Sequence, residues 1–244
     1  MAKSPTGQKS PARQQSPARQ NLHDIVARNI GGAILAGTYP PGTLLPNEAE
    51  WTKTFGASRT AVREAIKTLA AKGLIQSRSK IGSRVQPRVS WNMMDRDVLD
   101  WHDAASDKGS FLKSVQEARR LFEPGIAALA AKKRTPEQLT RLQAAFHIMQ
   151  TTKIQSEIVA ADTEFHEALI VAANNDLIAP FGIIIEKALH NLLDLTTRRN
   201  PHYVHALKLH GAIVDAVTNA DPEAAHTAMV ALIADTDNLL TQSS

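Results

Sequence analysis

From residue 22 onward, apolar side chains return every three or four positions along most of the chain, the spacing of amphipathic helices. Leu22, Ile25, Val26, Ile30, Ala33 and Ile34 mark a first helix, which Gly37 ends. Glu48 to Phe55 reads as a short helix with Trp51 and Phe55 four apart, stopped by Gly56. Ser58 is then an N-cap, Val62, Ala65, Ile66, Leu69 and Ala70 form one apolar face, and Gly73 is a stop. Leu74–Arg78 and Ser83–Gln86 flank a Gly82 turn and predict a small hairpin. Trp91–Trp101 reads as a linker running into a short helix that Gly109-Ser110 ends. Beyond it the period is helical throughout, over 111–132, 136–151, 155–173, 177–198, 202–219 and 222–241. Pro136, Pro180, Pro201 and Pro222 fall at or near helix starts, where proline is tolerated.

Two short helices joined by a glycine turn, then a hairpin, describe a winged helix-turn-helix. The expected fold class is therefore mainly α: an N-terminal winged helix-turn-helix with a small β-hairpin wing, and a C-terminal all-α bundle. The expected divisions are a tail over 1–20, the winged helix-turn-helix unit over 21–87, a linker and connecting helix over 88–110, and an all-α domain over 111–244.

Charge sharpens this picture. Residues 1–90 hold 14 Lys and Arg against 4 Asp and Glu, whereas residues 91–244 hold 14 against 20. A basic front on an acidic body means that only the front suits a polyanion. Opposite its apolar face, the second helix of the pair carries Arg59, Arg63 and Lys67 at intervals of four, with Thr60 beside them. Residues 1–20 are Ser, Pro, Gln and basic residues, with Ser-Pro-Ala-Arg-Gln at 10–14 and again at 16–20. Such a segment buries too little to offset its ordering entropy and is expected to be disordered. The absence of cysteine excludes disulfides, thiolate metal sites and a cysteine nucleophile. No apolar run approaches membrane-spanning length and no secretory signal is present, so the expected location is cytoplasmic, with no membrane partner.

The DNA-binding half resembles the GntR family of bacterial transcription regulators. The motifs that carry the resemblance are Gly37-Thr38-Tyr39-Pro40-Pro41-Gly42, Leu45-Pro46-Asn47-Glu48 and Ser58-Arg59-Thr60-Ala61-Val62-Arg63-Glu64-Ala65. Their spacing matches over 21–86. The family often places a DNA-contacting Arg where this chain has Ala49, and a first wing glycine where it has Lys80. The all-α remainder looks like the FCD effector domain of the family's FadR branch, and Trp91–Trp101 is similar to its galactonate-responsive subgroup. The resemblance implies a homodimer on a palindromic double-stranded operator. Arg59 and Arg63 suit the acceptor pair of guanine. Thr60, Lys67, Lys80 and the Glu48 backbone region suit phosphates, and Ser58, Arg78 and Gly82 complete the DNA-facing set.

In the second half, polar residues interrupt apolar stripes. Ile158, Val159, Asp162, Phe165, His166, Leu169 and Ile170 share one helix face, so Asp162 and His166 point inward together. His210 does the same among Tyr203, Leu207, Val214 and Val217. A carboxylate and two imidazoles suit a divalent metal of the Zn, Ni or Mn type, or else form an internal His–Asp arrangement without metal. The resemblance implies the metal, because many FCD domains use an Asp-x-x-x-His pair and two further His. The fourth position falls on Leu232, so the site either binds metal with an open position that an effector oxygen can take, or has lost metal. Arg119 lies on the stripe Leu112, Val115, Phe122, Ile126 and must be paired. Its partner is either Glu123 or Glu117, or a small carboxylate effector, as the FCD pattern Glu117-Ala118-Arg119 to Glu123-Pro124 implies. His190, on a stripe with Lys187 and Asp194, is a further effector candidate. The resulting reading is a ligand-responsive repressor of sugar-acid or other organic-acid genes. Its rivals are a metal-dependent enzyme using Asp162, His166 and His210, and a DNA-binding protein whose second domain only dimerises.

Overall fold

The computed structural model describes residues 22–78, 81–105, 108–187 and 202–242 of the 244-residue chain. The tail over 1–20, Lys80, His190 and Pro201 lie outside the described residues.

Three helices open the chain, α1 (Leu22–Leu35), α2 (Glu48–Phe55) and α3 (Arg59–Ala71). Each start and stop has a local cause. Asn47 caps α2 by accepting from the Ala49 and Glu50 amides, while the Glu50 carboxylate returns a bond to the Asn47 amide. Ser58 Oγ accepts from the Ala61 amide and starts α3. The hairpin β1 (Ile75–Arg78) and β2 (Gly82–Val85) pairs antiparallel, with Ile75 opposite Val85 and Arg78 opposite Gly82. Val26, Ile30, Ile34, Val62, Ala65, Leu69, Leu74 and Val85 form the core of this unit. Each fully buried aliphatic side chain is worth about 1.5–3 kcal/mol there.

The stretch read as linker and connecting helix is packed into that core. A 3-10 turn at Arg88–Ser90 leads to α4 (Arg96–Ala105), and Trp91, Val98 and Trp101 join the same cluster. Two glycines allow it. A Cβ on Gly31 would sit 2.3 Å from the Trp101 ring, and one on Gly73 would sit 2.1 Å from the Ser90 carbonyl oxygen. The expected stop at Gly109-Ser110 is corrected: α4 ends at Ala105, and both residues lie in the first turn of α5 (Lys108–Lys133). A first helical turn has unpaired amides in any case, so glycine and serine cost little there.

The remaining helices are α6 (Pro136–Thr151), α7 (Gln155–Ala172), α8 (182–187), α9 (His202–Thr218) and α10 (Pro222–Gln242). The expected helix at 177–198 starts later. Asn175 Oδ1 accepts from the Leu177 amide, a 3-10 turn spans Ala179–Phe181, and the α-helix begins at 182. Residues 188–198 of the expected helix lie outside the described residues. α5 packs on α10, α7 and α9, and α6 packs on α7 and α9. Phe165, Leu169, Leu142, Met149, Ile213, Met229 and Ile233 fill the space between them. A smaller apolar cluster, Leu99, Phe111, Leu112 and Val115 with Ile183 and Ile184 against it, sits where α4 meets the bundle.

Candidate functional site

The outer face of α3 presents Ser58, Arg59, Thr60, Arg63 and Lys67 to solvent, as the helical period requires once Val62, Ala65, Ile66 and Leu69 are buried. Arg63 is not free. Its Nε and Nη2 donate to Glu48 Oε1 and Oε2 at 3.3 and 3.0 Å. Arg63 holds the Glu48 carboxyl below the usual range, chiefly through that hydrogen bond. Lys67 pairs with Glu64 at 2.9 Å on the exposed helix surface. In the wing, Arg78 and Gly82 are exposed and face each other across the hairpin, whereas Arg84 donates to the Gly42 carbonyl and braces the wing base.

The second cluster is buried inside the helical bundle. Asp162 and His166 come from α7 and His210 from α9, each no more than 6% exposed. One ligand atom from each lies within 4.8 Å of the others. Two neighbours decide how these atoms are presented. His166 Nδ1 lies 2.9 Å from Glu123 Oε2, and His210 Nδ1 lies 2.8 Å from the Ala206 carbonyl oxygen. Both oxygens accept, so both Nδ1 atoms carry a proton and the Nε2 atoms are the ones turned toward Asp162. His210 Nε2 stands 2.9 Å from Asp162 Oδ1 and His166 Nε2 3.9 Å from the same atom. Close as they are, Asp162 Oδ1 and His210 Nε2 are buried without a hydrogen bond of acceptable geometry. A cation shared between the two atoms would satisfy both. Burial works to raise the Asp162 pKa, but His210, His166 and Arg119 together hold it below the usual range. The donor set of two imidazole nitrogens and one carboxylate therefore fits a divalent transition-type cation. Leu232, at the fourth position, is 3% exposed and belongs to the apolar core.

Arg119 is paired internally, and of the partners weighed for it the structure has Glu123. Its Nε and Nη2 donate to the Glu123 carboxylate, and its Nη1 donates to Gln116 Oε1 at 3.2 Å. Gln116 Nε2 in turn donates to Asp237 Oδ1 at 3.1 Å, and Arg120 Nη1 reaches Asp237 Oδ2 at 2.6 Å. Burial opposes ionisation of Glu123, yet Arg119 and His166 bring its pKa down to about 2. Glu123 thus orients His166 and neutralises Arg119 at once. The four-residue spacing from Arg119 marks one of these contacts in the sequence, but the contact across helices to His166 leaves no trace there. Tyr203 is a second residue whose place the pattern did not disclose. It donates to the Met149 carbonyl at 2.7 Å, and burial, then the Asp162 charge, pushes its pKa to about 12.

The comparisons with known proteins agree with both halves. Residues 22–85 match the model of bacterial regulatory proteins of the gntR family, and residues 114–235 match the FCD domain. The chain belongs to the GntR family. It is 35% identical to the uncharacterized HTH-type transcriptional regulator YieP of Escherichia coli, covering 89% of this chain and 94% of that protein. It is 32% identical to the galactonate operon transcriptional repressor of the same organism, covering 88% and 94%. The Lar protein of Listeria monocytogenes shares the fold at a TM-score of 0.60 and 17% identity, over 93% of this chain and 100% of that one. As a GntR regulator with an FCD domain, the protein is a DNA-binding transcription regulator rather than an enzyme. No helix among the described residues is long and apolar enough to cross a membrane.

Proposed function

We propose that this GntR regulator is a homodimeric repressor of genes for the breakdown of a sugar acid or a related small organic acid, and that the acid releases it from a palindromic operator. The observation that carries the reading is the buried Asp162, His166 and His210 cluster with its unpaired donor atoms. Those three residues would hold a divalent cation of the Zn, Ni or Mn type, and the cation would supply a positive anchor for an acid's carboxylate or hydroxyl oxygen. Leu232 in place of a fourth ligand leaves one more coordination position for that oxygen. Similarity to the galactonate operon repressor favours a sugar acid over other acids.

Ion pairs link the helical bundle to the DNA-binding unit. Arg96 pairs with Glu186, and Lys187 pairs with Asp100 at 2.9 Å and Asp103 at 3.0 Å, which ties α4 to α8. Lys72, at the end of the recognition helix, reaches Asp95 at 2.6 Å and Asp97 at 2.8 Å at the start of α4. A ligand that binds one placement of α8 better than another would bias α4 and with it α3.

The deciding test is an anisotropy titration onto the DNA upstream of the protein's own gene, at fixed salt, with and without galactonate and a panel of related acids. Tight binding that one acid weakens is the expected result. Tight binding indifferent to every acid would overturn the effector reading.

A further inference from the structure

We propose that Glu48 is a positioning residue for DNA reading: it holds the Arg63 guanidinium side-on so that the opposite edge meets one guanine. The proposal rests on the assignment of α3 as the recognition helix and adds to it the geometry of a single contact.

An arginine carries five N–H donors in a flat fork, and guanine offers two acceptors, O6 and N7, on its major-groove edge. Two edges of the fork can serve. Here the Nε–Nη2 edge is taken by Glu48, at 3.3 and 3.0 Å. What is left is Nη1 and the outer hydrogen of Nη2, an end-on pair. The Arg63 side chain is 62% exposed, so that edge is open to a partner. Glu48 is itself fixed. It is the first residue of α2, directly after the Asn47 cap, and a carboxylate there is favoured by the helix dipole. Arg63 lowers the Glu48 pKa and Glu48 raises that of Arg63, so each charge is reinforced by the other.

Two consequences separate this from an ordinary surface ion pair. An arginine tied down before binding loses less rotamer freedom on meeting a base. A carboxylate beside it also offsets its pull on phosphates, which are the same at every sequence. Glu48 therefore trades general affinity for discrimination. The neighbouring position in α2 is Ala49, which adds no positive charge to compensate. Arg59 and Glu64 are the other charged groups facing the pair, from α3 itself.

The experiment uses the full chain and a duplex that the unaltered protein selects from a random library, with every single base-pair replacement of it and one unrelated duplex. Glu48→Gln keeps the shape and removes the charge. Its expected effect is about a tenfold loss of discrimination at one guanine, since a bidentate pair is worth about 1–3 kcal/mol and tenfold is about 1.4. Discrimination at the other positions stays as in the unaltered protein. On unrelated DNA the salt slope steepens by about 0.9, the value of one additional phosphate contact. In an Arg63→Ala background the same substitution changes neither quantity. A uniform loss at all positions, or unchanged discrimination with an unchanged salt slope, would overturn the proposal. Failure of the unaltered protein to select any sequence would instead overturn the operator reading on which it rests.

Discussion

Replacing Glu123 by Gln tests whether the polar network behind the cluster is organised by charge. Glu123 is 1% exposed and Arg119 is 2% exposed, so the substitution removes the carboxylate directly paired with a buried guanidinium. Its magnitude can be worked in two ways. The Glu123 pKa falls from 4.5 to about 2, and at about 1.4 kcal/mol per unit that amounts to about 3 kcal/mol. Breaking a buried ion pair by removing one partner costs about 3–5 kcal/mol. For a chain of this size such a loss lowers Tm by roughly 6–12 °C. The assay is thermal melting of chelator-stripped protein, unaltered and Glu123→Gln, from pH 7 downward. The pKa is depressed in the folded state, so the stabilisation is fully present above pH 4.5 and is lost as pH falls toward about 2. The two melting curves should therefore draw together below pH 4.5, with more than half of the difference gone by about pH 3. A difference under about 1 kcal/mol at pH 7, or one that stays constant down to pH 3, would refute the argument.

Three further outcomes are expected. His210→Ala should bind less divalent metal, and elemental analysis showing equal metal in both proteins would remove His210 from the ligand set. Arg63→Ala should lose operator affinity by about 1–3 kcal/mol while melting as before, since the residue is exposed and bonds only to Glu48; an unchanged operator titration would displace α3 as the reading element. Lys72→Met should keep operator binding but blunt the response to effector, because its ammonium ties the end of α3 to Asp95 and Asp97; a full response in the anisotropy titration would show that the signal takes another path.

Much of this was legible in the residues because it depends on period and on local chemistry. The face of α3 follows from Val62, Ala65, Ile66 and Leu69 at helical spacing, and the inward direction of Asp162, His166 and His210 follows from the stripes that they interrupt. What could not be read is what depends on a partner far along the chain. Trp101 packs into the first core because Gly31 on another helix leaves room for it, and no local pattern links the two. The carboxylate on Arg63 is 15 positions away and on a different helix. The same holds for Glu123 and His166. Here the spacing within one helix offered Glu123 as a partner of Arg119, but the contact from Glu123 across to His166 had no such sign.

The two ends of the molecule solve one problem in the same way. At each, a carboxylate takes one edge of a group and leaves another edge open. Glu48 takes the Nε side of Arg63, leaving the outer edge to solvent, and Glu123 takes the Nδ1 side of His166, leaving Nε2 turned toward Asp162. The difference lies in the surroundings. The Glu48 pair is exposed to water and salt, so its worth is geometric and its contribution to stability is small. The Glu123 pair is buried, so its charge is expensive to disturb. Between them, the joint of α4 with α8 is made of partly exposed ion pairs around a small apolar cluster, Leu99 with Phe111, Leu112 and Val115. A joint of that kind is weaker than either core it connects. Movement caused by an effector should therefore occur at this joint, leaving both the Asp162, His166 and His210 cluster and α3 intact as units.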